Sequence, residues 1–354
     1  MNKIKHIWMK ITGFSLFFPL LCLAVVLVIN LIRTPDFFRI SMNNGVLYGY
    51  VIDILNRSSE LIILATGMTL VVAASGGTDI SVGAVSAVAG AVCIYSLIGG
   101  ASSDVYRIPY VLALVLGILA GTACGVFNGF LVAKLHIQPM VATLILFTAG
   151  RGIAQVLTQG FILYVRKESF KYLGNFLPGI PVPTPIFIAA LVVILTILLL
   201  KRTSLGLYIQ SVGVNRIASR LVGLNSSLII FLVYVFSGFC AGIAGMIITS
   251  RVYSIDANNA GLNIELDAIL AVAIGGNSLG GGKFTLIGSV IGAITIQALT
   301  TSLYAMKVTA DQLPVYKAIV VVIIVAIQSP VVKRWMKAVR HKNALSGNRK
   351  KVKA

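Results

Sequence analysis

Ten stretches of this chain are apolar enough to prefer hydrocarbon to water. They run roughly over 11–32, 61–75, 82–100, 109–133, 139–157, 182–200, 227–250, 265–275, 285–304 and 312–330. A crossing helix takes about 20 residues, so ten of them occupy some 200 positions. In a chain of 354 residues the remainder supplies connections and tails but no second soluble domain. Only 11% of residues are charged, against about 25% in a soluble domain, and the mean hydropathy is +0.96. A soluble enzyme, a disordered protein and a disulfide-rich secreted module are excluded. The expectation is an all-α polytopic membrane protein with about ten transmembrane helices, some of them short and Gly-interrupted. Residues 1–330 form the membrane domain and 331–354 a basic cytosolic tail.

The formal charge of +19 would suggest nucleic acid in a soluble protein; here it sets orientation, and no nucleic-acid partner is expected. With the N-terminus in the cytosol, the inside segments carry Lys3, Lys5, Lys10, Lys134, Lys201, Arg202, Arg216, Arg220, Lys283 and nine basic tail residues, against one acid, Asp79. The outside segments balance nine basic residues with nine acids. This satisfies the positive-inside rule and puts both termini in the cytosol. Removing one span would put the basic tail outside. The first apolar run is longer than the 7–15 residues of a typical signal-peptide core and ends in Arg33-Thr34-Pro35, so it is expected to stay as a span. The four cysteines and three histidines are scattered without metal-ligand spacing, so no metal site is expected.

Segments 61–75 and 265–275 are short, and each ends in Gly-Gly. They are either tight turns between helices or the paired, interrupted segments that mark a transporter's pathway. The stretches that follow resemble each other: Gly76-Gly77-Thr78-Asp79-Ile80-Ser81-Val82-Gly83 and Gly275-Gly276-Asn277-Ser278-Leu279-Gly280-Gly281-Gly282. Asp79 and Ser81 can cap a helix beginning near Val82, or Asp79 can line the pathway near its cytosolic end, since an acid at membrane depth is costly without a role. The second stretch fails the phosphate-loop pattern, having Asn277 where glycine is needed and Phe284 where serine or threonine is needed. No nucleophile triad or carboxylate pair is present, so the chain is not expected to be an enzyme. Proton- or sodium-driven carriers place ionisable groups in mid-span, whereas here Arg151 is the one charge well inside a segment's core. It can form a salt bridge, cap a kink beside Gly150 and Gly152, or meet substrate. In the inside loop 201–225, Asn215 and Gly223 read as the start and stop of a short helix. That helix can dock in a partner's groove or lie on the membrane surface.

Taken together, GGTDISVGAV at 76–85, the Gly213–Gly223 loop, Glu265-Leu266-Asp267-Ala268-Ile269 and GGNSLGGGKFTLIGSVIGA at 275–293 resemble the ribose-type sugar permeases of ABC importers. Gly125 to Gly129 and Arg151-Gly152 fit as well. The text near Glu265 and Ile296-Gln297 is most similar to galactofuranose transporter permeases.

The resemblance implies a multi-pass permease in the bacterial inner membrane, without a cofactor of its own. ATP and Mg²⁺ would belong to a cytosolic ABC ATPase, and a sugar-binding protein would deliver the solute. A second permease subunit, identical or a sister chain, would complete the path. Gly213, Asn215, Ala218 and Gly223 would form the coupling helix on the ATPase. Family members often carry an acid after this asparagine; here Arg216 stands there. Candidate pathway residues are Asp79, Ser81, Asn128, Thr143, Gln155 and Asn277, whose amides and hydroxyls suit sugar hydroxyls but equally suit bonds between helices. Glu265 and Asp267, expected at the outer end of the eighth segment, would meet the binding protein, form a gate or cap their helix. A nucleoside or branched-chain amino-acid permease, a secondary sugar transporter and a passive channel are the alternatives.

Overall fold

The computed structural model describes residues 16–43 and 45–328. The N-terminal lysines and the basic tail lie outside the described residues. The chain divides into a unit ending at Ser302 and a second beginning at Leu303. The helices are α1 Phe17–Arg33, α2 Tyr50–Ser75, α3 Val82–Ile98, α4 Tyr110–Ala133, α5 Pro139–Thr158, α6 Thr184–Arg202, α7 Leu205–Val214, α8 Arg216–Leu221, α9 Ser226–Val252, α10 Ile264–Ile274, α11 Leu286–Ala305 and α12 Leu313–Gln328. The second unit holds the end of α11 and all of α12. Two small antiparallel pairs join Ser41–Asn43 to Val46–Tyr48 and Leu163–Tyr164 to Ser254–Ile255. The protein is helical and polytopic: α2, α4, α5, α6, α9 and α11 are long and apolar enough to cross a membrane.

Each of the ten apolar segments coincides with a helix, and two details differ. The segment expected to be short at 61–75 belongs to α2, which has 26 residues. Its first turns carry Asp53, Arg57, Ser58, Ser59 and Glu60, which read as a loop. In the fold these groups are satisfied locally or by distant partners. Ser58 and Ser59 donate to Leu55 O at 3.0 and 2.9 Å, and buried Glu60 pairs with Arg251 of α9. By contrast α10 is short as expected, 11 residues or about 17 Å. Loop 201–225 also holds one more helix, α7, than the reading anticipated.

The centre of the first unit is α2, 94% buried over its most apolar window, with α9, α6, α10 and α7 against it. In lipid, apolar surface gains little by meeting apolar surface, so helices associate by close packing and polar contacts. The α4–α9 contact shows this. Gly121 and Gly125, one turn apart on α4, face Gly238 and Gly242 of α9. A Cβ on Gly121 would stand 2.8 Å from Gly238 O, closer than real Cβ contacts allow. Outward faces of α4, α5 and α6 stay apolar and exposed, for example Val111, Leu119, Val156 and Leu191, as lipid or a neighbouring subunit requires.

Loops of this unit gather at two ends. One end holds Gly76, the 134–138 and 203–225 connections and the 275–285 loop: Arg220 Nε donates to Ser226 Oγ at 2.8 Å, and Gly282 N to Ala73 O at 2.9 Å. The other holds the 34–49, 99–109, 159–183 and 253–260 connections: Val165 N donates to Tyr253 O at 2.8 Å, Arg166 N to Ser103 O at 3.0 Å and Leu47 N to Pro181 O at 3.1 Å.

Candidate functional site

At the Gly76 end, three separate sequence features meet. Gly76 ends α2 with φ 63°, a left-handed conformation that glycine adopts without strain. The second glycine stretch folds back onto it. A Cβ on Gly281 would stand 3.1 Å from both Gly76 Cα and Gly213 O. Gly213, in the last turn of α7, lies against Ala73 O and Gly282 N. Arg216 Nη2 donates to Ser75 O at 3.3 Å, and burial pulls the Arg216 guanidinium below its ordinary pKa. Asn215 caps α8: its Oδ1 accepts the Ala218 N–H at 2.9 Å. Gly223 follows at φ 86°. The expected start and stop of this helix are therefore present. Its outer face shows Ile217 and Leu221, 75% and 83% exposed among the described residues. The geometry is that of a short lever. Its root touches both glycine stretches and its apolar tip is free for a partner.

Deeper in the bundle, Asp79 forms a clasp. Its Oδ1 accepts the Ser81 backbone N–H at 3.0 Å and the Ser81 hydroxyl at 2.6 Å. Its Oδ2 accepts the Ser237 hydroxyl of α9 at 3.0 Å. Asn128 of α4 donates Nδ2–H to Ser81 Oγ at 2.8 Å, and Ile80 N donates to Thr143 Oγ1 of α5 at 3.2 Å. The capping expectation is thereby corrected: Ser81 occupies the N-cap of α3 without a side-chain cap bond, and its oxygen instead accepts from Asn128. Asp79, Ser81, Asn128 and Thr143 are all buried and join α3, α4, α5 and α9 inside one subunit. Asn277 is also buried. It donates to Ser289 Oγ at 2.8 Å and accepts from Thr285 N at 2.6 Å, while Thr69 of α2 donates to the same Ser289 hydroxyl at 2.6 Å. It fastens the second glycine loop to α11 and α2.

Gln155 differs from these five. It is exposed on α5 and donates to Asn258 Oδ1. Arg151 sits one turn earlier, and α5 runs unbroken through Gly150-Arg151-Gly152. Its Nη1 donates to the carbonyls of Asn258 and Ala260 at 2.9 and 3.1 Å. Glu265 stands in the first turn of α10, at the end of the segment where it was expected. Glu265 is 2% exposed and lies against Gly83, the second residue of α3. Asp267 is half-buried in the same first turn. Sequence reading missed Ser237, Ser289, Thr69 and Asn258. The available signal was a hydroxyl inside an apolar helix and the Asn258-Asn259 pair, which mark sites only once their distant partners are known.

The family of the branched-chain amino acid transport system permease component matches residues 50–328. The galactofuranose transporter permease protein of Escherichia coli is 44% identical over 92% of each chain. The fructose import permease protein FruF of Bifidobacterium longum is 38% identical over 98% of this chain and 96% of its own. The ribose import permease protein of Escherichia coli is 35% identical over 88% and 92%. The chain belongs to this family of ABC importer permeases. It is a transport subunit and not an enzyme.

Proposed function

We propose that the chain is the membrane permease of an ABC importer that moves a monosaccharide of the galactofuranose, fructose or ribose kind into the cytosol. The observation that carries this reading is the junction of α7–α8 with both glycine stretches. The hairpin rests on Ala73 and Gly282 and holds Ile217 and Leu221 outward, as a coupling lever for an ATPase requires. Sugar as cargo is supported by the named solutes of the relatives.

In this reading the chain lies in the bacterial inner membrane and crosses it about ten times, with α3 and α10 completed by their loops. The Gly76 end is cytosolic. It carries Lys134, Lys201, Arg202, Arg216, Arg220 and Lys283, with Asp79 buried as its one acid, which suits the positive-inside rule. ATP closes a pair of cytosolic ATPase subunits, α8 of each permease moves with them, and two permease subunits open toward a sugar-binding protein at the far end. Hydrolysis resets the pair. Cofactor chemistry stays with ATP and Mg²⁺ on the ATPase. Asp79, Ser81, Asn128, Thr143 and Asn277 hold the pathway wall in shape, Gln155 faces the path, and Glu265 with Asp267 forms its gate.

The test is co-expression with the candidate ATPase and binding protein in cells lacking their own sugar permeases. Uptake of labelled D-galactose, D-fructose or D-ribose should persist with a proton uncoupler while ATP is held constant. Uptake that collapses with the uncoupler would identify a secondary transporter, and uptake without the ATPase a channel.

A further inference from the structure

Arg151 and Glu265 are two charged groups brought close without being joined. Arg151 uses Nη1 on backbone carbonyls, while its Nε and Nη2 are buried with no hydrogen-bond partner among the described residues. Glu265 is 98% buried, and its Oε2 likewise has no partner among them. Arg151 reaches Ala260 O, and the Glu265 carboxylate and Gly261 O both lie against Gly83, so the two groups flank residues 260 and 261; yet they do not close into an ion pair, as Arg251 and Glu60 do in the same fold. Buried polar groups are normally satisfied, and leaving them open costs stability. An exception on both sides of one gap therefore points to something that fills it.

The geometry also gives the gap an entrance. Gly83 lies directly beside the Glu265 carboxylate, where any Cβ would collide with it. Thr148, Gly152 and Gln155 lie on one face of α5 and are exposed, in a helix whose outward face is otherwise apolar. No described residue lies within 4 Å of where a Gly152 Cβ would be. Gln155 and exposed Asn258 form the rim. This is also where α3 and α10 both begin, and interrupted helices are where transporters place solute.

We propose that Arg151 and Glu265, with Gln155 and Asn258 at the rim, form a binding subsite for a neutral polyhydroxyl solute. The sign of the charges selects the class. A hydroxyl can accept from Arg151 and donate to Glu265 at once. A carboxylate or phosphate would satisfy Arg151 but meet Glu265, and a cation would do the reverse. An apolar solute leaves both unpaired. This site deepens the importer reading and rests on it.

The experiment uses vesicles holding the full permease complex with its ATPase and binding protein. It measures labelled D-galactose, D-fructose or D-ribose moved per ATP hydrolysed. Arg151→Lys, Glu265→Gln and the double variant Gln155→Ala/Asn258→Ala should each lower sugar per ATP at least fivefold. A merely structural role would lower uptake and hydrolysis together, leaving the ratio at the wild-type value, and that result overturns the proposal. If the two buried variants do not assemble, the exposed double variant decides by the same ratio. Wild-type vesicles that move no sugar on ATP would overturn the importer reading itself, a result separate from an unchanged ratio in the variants.

Discussion

Gly213→Ala is the sharpest perturbation of the junction. An added Cβ would stand 2.6 Å from Gly282 N and would fall onto Ala73 O. Ordinary contact begins near 3.4 Å, so Ala73 O must withdraw by about 1.7 Å and the 281–283 backbone by about 0.8 Å. The Gly282 N to Ala73 O hydrogen bond, now 2.9 Å, would stretch to at least about 3.7 Å and cease to be one. Its loss costs roughly 1 kcal/mol and the overpacking about 1–3 kcal/mol. Alanine returns about 1 kcal/mol to α7 as the better helix former. The balance is a destabilisation of about 1–3 kcal/mol, set where the lever meets the bundle. Because about 1.4 kcal/mol is a tenfold change in rate, binding-protein-stimulated ATP hydrolysis should fall at least about fivefold. The midpoint of thermal unfolding in detergent should also drop. Gly100→Ala is the control, since its Cβ meets nothing closer than 3.7 Å and both readings should stay put. A Gly213→Ala permease with full stimulation and an undiminished midpoint would refute the argument that close contact at Gly213 transmits the motion.

Further outcomes follow from the same geometry. Asn215→Ala removes the α8 cap and should cost the helix about 1 kcal/mol; ATPase stimulation should fall while the bundle's unfolding midpoint stays within error, because α8 is peripheral. Replacing Leu221 by Asp should abolish co-purification of the ATPase and leave the permease folded, as judged by size-exclusion chromatography. Asp79→Ala breaks three hydrogen bonds to one carboxylate and should cost about 3 kcal/mol, with Asp79→Asn recovering more than half of the lost unfolding midpoint. Glu60→Gln uncouples Arg251 inside the protein and should destabilise by about 3 kcal/mol, read as a lower unfolding temperature at unchanged helical content.

What was legible in the sequence was whatever depends on local pattern. The apolar runs mark the helices, six of them long and apolar enough to cross a membrane, because a helix in hydrocarbon must be apolar along its own length. Asn215 and Gly223 mark α8, because capping is settled within three or four residues. The start of α2 was not legible: Glu60 becomes a helix residue only when Arg251, on another helix, neutralises it. Nor could spacing show that Asp79 would find Ser237, or that Asn277 would meet Ser289 and Thr69. Polar residues in an apolar chain announce that they have partners without naming them. The burial of Glu265 was hidden for a related reason. Its place in the first turn of α10 follows from the chain, but its contact with Gly83 depends on another helix.

The measurement closest to the central claim is solute entry into sealed vesicles that contain the permease, its ATPase and its binding protein, with ATP inside or absent. Labelled sugar should accumulate above its outside concentration only with ATP, and should stop when Ile217 and Leu221 are both replaced by Asp. Accumulation that ignores ATP, or that survives the loss of the α8 contact, would contradict that claim.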